Sequence, residues 1–396
     1  MAVDFAQIKK LGRQIYGISL VKTLLSFLIA FEILVIYLLI LSATLGLGQV
    51  YNLYALNIFI FRESIDTTML RSTVSLSIPI MITAVGATFN ERAGVINIGL
   101  EGILIWSAWF SVFISYTTGN VWLATLGGIF AGALLGFFHA VLTITFKAEQ
   151  VVTGVAINLL ALGVTEVLNR AIWEPARSAQ VESFSPVDIT KIPFIGDLYS
   201  LLILSNYYDV PGIGGVLRWL PDIFNALNRH NPLVYIAILF VPISHFFLFK
   251  TKYGLRIRVI GEHPQAAATA GVNVRLYQYF AVTLSGALGG LGGTILSIGV
   301  SNKFISGMTG GKGFLALAAM IFGKWTVIGG ALASVLFGFF FAFGINLSAG
   351  GIKGFVVPIE FYQMIPFIVT ILALAGVIGR ARAPKSIGIP YSEDEE

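Results

Sequence analysis

Cysteine is absent from the 396 residues, and charge is scarce, since Asp, Glu, Lys and Arg together make up 11% of the chain. Without cysteine there are no disulfides, no thiol chemistry and no thiolate metal site. A soluble domain covers its surface with roughly 25% charged residues, so this composition excludes one. The four histidines, His139, His230, His245 and His263, show no ligand spacing. No nucleophile–base constellation accompanies them, and the chain reads as a non-enzyme that binds no metal. The formal charge of +5 invites a nucleic-acid reading. It fails, because Lys and Arg sit at the ends of apolar runs instead of forming one face.

Hydrophobic residues supply 56% of the chain. Runs of 18 or more apolar residues recur, each long enough to cross a hydrocarbon core about 30 Å thick. They are continuous and not alternating, which selects helices over a barrel. Hydropathy predicts spans at 24–45, 72–89, 95–116, 121–145, 151–170, 232–249, 276–298, 306–323, 327–347 and 364–380. The expected fold is therefore an all-α integral membrane bundle of about ten transmembrane helices. Residues 1–23 mix Asp4, Lys9, Lys10, Arg13 and Lys22 with apolar residues at helical spacing, the pattern of an interfacial amphipathic helix and not of a cleavable signal.

Orientation follows the basic loops. The loop 250–275 carries Lys250, Lys252, Arg256, Arg258 and Arg275 and is assigned to the cytoplasm. The N-terminus and the tail 381–396 then also fall inside, in a multi-pass protein of the cytoplasmic membrane. The long stretch 171–231 lies outside, as a partner-docking surface or a solvated loop.

Residues 126–140, LGGIFAGALLGFFHA, align without gaps to 328–342, IGGALASVLFGFFFA. Five helices apart and opposed in direction, they suggest two inverted five-helix repeats within a transmembrane domain over 24–380. Close packing of small residues is the simpler account of the same likeness.

Three segments concentrate polarity. NERAGVINIGLEG (90–102) puts Glu91 and Arg92 at a cytoplasmic turn and carries Asn97 and Glu101 into a membrane helix. Intramembrane ionisable groups are expensive and mark function by default. KTKYGLRIRVIGEHPQAAATAGVNV (250–274) places Pro264 in the first turn of a short helix and Gly271 at its end, a cytoplasmic knob suited to receiving force. SNKFISGMTGGKG (301–313) is not a phosphate loop, because Ser306 stands where the first glycine is required and Gly313 where Ser or Thr would hold magnesium. It reads as an outward loop, and GALGGLGG (286–293) as a packing face.

NERAGVINIGLEG, FKAEQVVTGVAINLLALG (146–163) and GLRIRVIGEHPQAAATAGVNV resemble the permeases of ABC importers for ribose-type sugars, branched-chain amino acids and nucleosides, most closely the nucleoside type. The likeness covers about residues 66–380. It implies a second homologous permease, a cytoplasmic ABC ATPase that binds ATP and magnesium, an extracytoplasmic substrate-binding lipoprotein and surrounding lipid. This chain would hold no cofactor itself. The family's coupling helix carries over onto Gly261, Glu262, Pro264, Ala266, Ala267 and Gly271, with His263 in place of the commoner Asn. Gln265, Glu91 and Arg92 join that coupling site. Asn97, Glu101, Thr153, Asn158, Ser285 and Phe314 are the expected pathway residues, with Asn97 and Asn158 suited to ribose hydroxyls. Nucleoside import driven by partner ATPases leads. The alternatives are a monosaccharide such as ribose, an ion-coupled secondary transporter or an energy-free channel.

Overall fold

The computed structural model describes residues 67–173, 177–193, 195–197, 200, 219–350, 364, 367–368 and 382–392. The described helices are α1 (Thr67–Arg92), α2 (Leu100–Thr118), α3 (Val121–Ala140, prolonged by a wide turn Val141–Thr145), α4 (Gln150–Ile172), α5 (Trp219–Leu227), α6 (Pro232–Lys250), α7 (Lys252–Glu262), α8 (Pro264–Thr269), α9 (Val274–Thr294, prolonged by Ile295–Ser301), α10 (Lys312–Phe322) and α11 (Val327–Gly350). Seven of them, α1, α2, α3, α4, α6, α9 and α11, are long and apolar enough to cross a bilayer. The chain is an all-α integral membrane protein. The expected interfacial helix 1–23 and first span 24–45 lie outside the described residues, as does most of the tenth, 364–380.

Contacts divide the chain into two units, Met1–Asp66 with Phe343–Ala381, and Thr67–Ala342 with Arg382–Glu396. Within the second, glycines set the helix crossings. A methyl group on Gly132 would lie 2.6 Å from the Gly290 Cα, and one on Gly136 would lie 2.8 Å from the Gly286 Cα. The backbones of α3 and α9 thus touch directly, which only small residues allow. Residue numbers rise along α3 as they fall along α9, so the two run antiparallel. Helix α9 also runs against α1, since Ser285 Oγ donates to Asn90 Oδ1 at 2.7 Å and Gly292 faces Thr83. Helix α11 runs against α1 in turn, with Gly338 on Ser77 and Gly330 toward Ala84. Hence α3 and α11, which carry the two similar sequences, point in opposite directions.

Two predicted spans start later than hydropathy suggests. The third begins at Leu100, not at 95, because residues 93–99 leave the helical path after Gly94 turns left-handed at φ +84°. The eighth begins at Lys312, not at 306, because Gly307, Gly310 and Gly311 all have positive φ. Helix α10 has 11 residues, or about 16 Å at 1.5 Å per residue, half of a crossing.

The basic loops gather at one end of the bundle. Arg92 Nε donates to Trp325 O at 2.8 Å, Lys147 Nζ to Ser392 Oγ at 3.1 Å, and Thr145 pairs with Tyr279. At the opposite end, Ser178 N donates to Phe304 O and Val181 N to Asn302 O, both at 2.9 Å. Part of the long stretch 171–231 is therefore folded down onto residues 302–305. Val187 N donates to His230 O at 2.8 Å, and Asp188 Oδ1 accepts from Thr190 Oγ1 at 2.6 Å and Asn228 Nδ2 at 3.2 Å.

Candidate functional site

A stretch of non-helical backbone buried in a helical bundle must find its hydrogen bonds within the protein. Residues 93–99 do so through side chains from four helices and from within the break itself. Gln278 of α9 donates to Ala93 O at 3.2 Å, and Asn90 of α1 donates to Val95 O at 2.8 Å. Gln150 of α4 accepts from Ile96 N at 2.7 Å, while His139 Nε2 of α3 lies 2.9 Å from Ile96 O. Asn158 donates to Ile98 O at 3.1 Å and accepts from Gly102 N at 2.7 Å; Asn97 Oδ1 accepts from Gly99 N at 3.0 Å. The scattered polar residues of these apolar helices thus share one task.

Glu101 lies in the first turn of α2, and its carboxylate reaches the other broken helix. Oε1 accepts from Gly311 N at 2.9 Å and Oε2 from Gly313 N at 2.6 Å. These are amides that the start of α10 leaves without helical partners, and a carboxylate suits the positive end of that helix. Gly313 is required for the approach, because a methyl there would lie 2.5 Å from the Glu101 Cα. Lys312 Nζ turns back to Met308 O at 3.3 Å and Thr309 O at 3.1 Å. The glycine loop that superficially resembles a phosphate cradle is already occupied by an acidic side chain.

At the basic end, α7 and α8 form the knob. Thr251 Oγ1 caps α7 by accepting from Gly254 N at 3.2 Å, and Pro264 opens α8. Gly271 has φ +78° just past the end of α8. Gln265, Ala266, Thr269 and Ala270 of α8 are exposed, whereas Pro264 and Ala267 are buried. Gly261 presses on the Arg92 carbonyl, leaving no room for a side chain. Arg92 holds Trp325 O, and Trp325 Nε1 donates to Glu91 Oε2 at 2.5 Å. Lys324 and Trp325 both have φ +53°, left-handed for residues with side chains. Contacts therefore run from α8 through Gly261, Arg92 and Trp325 into α10, and from its far end to Glu101.

The expected coupling residues Gly261, Glu262, His263, Pro264, Gln265, Ala266, Ala267 and Gly271 gather on this knob. Glu91 is buried under Trp325. Of the expected pathway residues, Asn97, Glu101 and Asn158 meet at the first break. The half-buried Asn158 amide gives one donor and one acceptor to backbone, and its second N–H and second lone pair remain. Thr153 Oγ1 donates to Glu149 O and Gln150 O, both at 3.0 Å, within its own helix. Ser285 is buried against Asn90, and Phe314 is 47% exposed on α10. Sequence reading missed Gln150, Gln278 and Trp325; the signal for the first two was an amide side chain at the mouth of an apolar run.

Relatives extend over most of the chain. A protein-family model described as "Branched-chain amino acid transport system / permease component" matches residues 69–374. The guanosine ABC transporter permease NupQ of Bacillus subtilis is 40% identical over 81% of this chain and 95% of its own length. The nucleoside ABC transporter permease NupC of Lactococcus lactis is 37% identical, over 80% and 93% respectively. A protein of Haloferax volcanii with the provisional name of glucose ABC transporter permease TsgC13 is 33% identical, over 68% and 74%. Bacillus subtilis and Lactococcus lactis each have a second matching permease, NupP at 24% and NupB at 23% identity. No solved structure matches. With the knob and both broken helices inside the matched region, this chain belongs to the branched-chain amino acid transport system permease family.

Proposed function

We propose that this chain imports nucleosides across the cytoplasmic membrane as one of two permease subunits, with alternating access driven by separate ABC ATPases. The observation that carries the substrate class is the 40% and 37% identity to NupQ and NupC, each covered over more than nine-tenths of its length. The glucose-named relative is more distant, which places a monosaccharide second. The paired permeases of both bacteria support a second, similar subunit beside this one. An extracytoplasmic binding protein delivers the substrate at the end opposite the knob, and the chain itself binds neither ATP nor magnesium.

The transmembrane domain works as two inverted five-helix halves. The opposed directions of α3 and α11 support this, as does their reciprocal packing, Gly136 on α9 and Gly338 on α1. The basic end is cytoplasmic. There the ATPase grips α8 and pushes on Gly261, which bears on Arg92 and the Trp325 turn. Helix α10 moves as a short rod, and its N-terminus takes Glu101 and α2 with it. The two breaks are where such rods pivot. Asn97 lies beside them: its side chain is buried and its Nδ2 has no protein partner.

The test is uptake of radiolabelled guanosine by vesicles carrying this chain with its second permease, ATPase and binding protein. Uptake should require ATP, survive an uncoupler and be competed by unlabelled nucleosides but not by ribose. Competition by ribose alone would move the substrate to monosaccharides. Uptake that collapses with the uncoupler and persists without the ATPase would make this an ion-coupled transporter.

A further inference from the structure

The segment Pro384–Ser392 lies across the base of the knob. Ser386 N donates to Gly261 O at 3.0 Å, and its Oγ reaches Ile260 O at 3.0 Å and Gly261 O at 2.6 Å. Two residues on, Gly388 N donates to Gly94 O at 3.0 Å, with φ +79° turning the chain over the first break. Lys147 holds Ser392, as noted. The strap is thus bound to α7, to the break after α1 and to the turn before α4. Tyr391 packs with the buried cluster of Ile260, Ala267 and Val274, which is the underside of α8.

Its outer side is not covered. Ile389 is 59% exposed, a large apolar side chain standing beside the knob. Two shallow cavities flank α8, of about 160 Å³ between Pro264 and Pro390 and about 410 Å³ between Gly271 and Tyr391, and Tyr391 lines both. Lys385 lies 3.5 Å from His263 Nε2 at the edge of the first. Lys385, Arg382, Lys252 and Arg256 are all exposed around this end, while Glu262 is half-buried.

We propose that the strap is a second half of the docking surface for the ATPase subunit, so that the socket that takes α8 also closes over Ile389 and Tyr391. Continuity argues for it: no partner surface broad enough to enter both cavities beside α8 can avoid the strap that forms a wall of each. Charge argues for the nature of the socket, an apolar floor rimmed with carboxylates that meet Lys385 and Arg382. Ile389 shares its cavity with the exposed Lys385, an apolar residue with a cation at its edge, as in an interface core and its polar rim. Through Ser386 and Gly388 the same partner would press on Gly261 and Gly94 together, so knob and break would move as one body. This inference rests on the importer reading above, because it needs an ATPase at that end.

The natural absence of cysteine makes the experiment direct. Single variants Gln265→Cys on α8, Ile389→Cys on the strap and Lys191→Cys at the far end are each labelled with a maleimide–benzophenone reagent. Labelling and irradiation are done in inverted vesicles holding the whole assembly. Gln265→Cys and Ile389→Cys should both cross-link to the ATPase, and Lys191→Cys should not. Maleimide labelling of Ile389→Cys should also slow several-fold when the ATPase is present. If Gln265→Cys links and Ile389→Cys gives only lipid or self adducts with unchanged labelling, the strap lies outside the interface while the importer reading stands. If neither position links, both proposals fall.

Discussion

The two pairs of helices α1 with α9 and α4 with α6 separate what is apolar from what is buried. Their most apolar stretches are 78% and 83% buried in α1 and α9, but only 28% buried in both α4 and α6. The buried pair is the less hydrophobic of the two. It carries Ser77, Thr83, Asn90, Ser285 and the glycines 286–293. In a bilayer the solvent is as apolar as leucine, so hydrophobicity gains nothing by burial, and close backbone approach and hydrogen bonding hold helices together. Leu159, Val167, Leu239 and Phe246 accordingly face outward, toward lipid or another subunit.

The sharpest way to break this contrast is to enlarge a glycine in each pair. A side chain on Gly286 meets the Gly136 Cα at 2.8 Å, backbone that has no rotamer to escape into, whereas Gly163 of α4 has nothing within 4 Å. Gly286→Leu should lose folded protein, since overpacking costs about 1–3 kcal/mol even where neighbours can yield. Gly163→Leu should leave the melting temperature in detergent almost unchanged. Equal effects on fluorescence-detected size-exclusion melting would end the distinction.

A smaller effect is expected at the junction of the broken helices. Glu101→Ala leaves Gly311 N and Gly313 N without acceptors, at about 1–3 kcal/mol for buried donors left unpaired. Glu101→Gln keeps one carbonyl oxygen and should fall between Ala and wild type. Thermal shift measures the stability, and nucleoside uptake measures the pivot. Uptake should fall in both variants, more in Glu101→Ala. An unaltered rate in Glu101→Ala would remove the junction from the cycle.

The smallest effect is one of pH, at the end opposite the knob. Burial pushes the His230 imidazole below its ordinary value, so the folded state resists protonation there. The unfolded chain binds that proton first as pH falls below about 6.5, and stability should decline from that point down to the lower folded value. His230→Gln should flatten this part of the pH–stability curve in detergent. An identical slope in wild type and variant would show that other groups control it.

Much of the plan was legible in the residues. Spans, the basic end and the short helix between Pro264 and Gly271 follow from composition, charge and turn chemistry, all local properties. The close packing of α3 on α9 and of α11 on α1 was legible in Gly136 and Gly338, because only small residues let helix backbones touch. The late starts at Leu100 and Lys312 were not legible, because hydropathy averages over a window and cannot register a segment that breaks into turns. Gln150, His139 and Gln278 meet at the non-helical backbone of residues 93–96, distant in sequence from each of them.

The chain by itself determined that it lives in a membrane, which end is basic and which segment protrudes, since each rests on transfer of nearby groups between water and lipid. Only tertiary structure decided that Glu101 holds α10, that Asn158 bonds the backbone of the first break, and that the tail returns to the knob. Those outcomes depend on hydrogen bonds between residues about 55–210 positions apart, for which no local pattern chooses the partner.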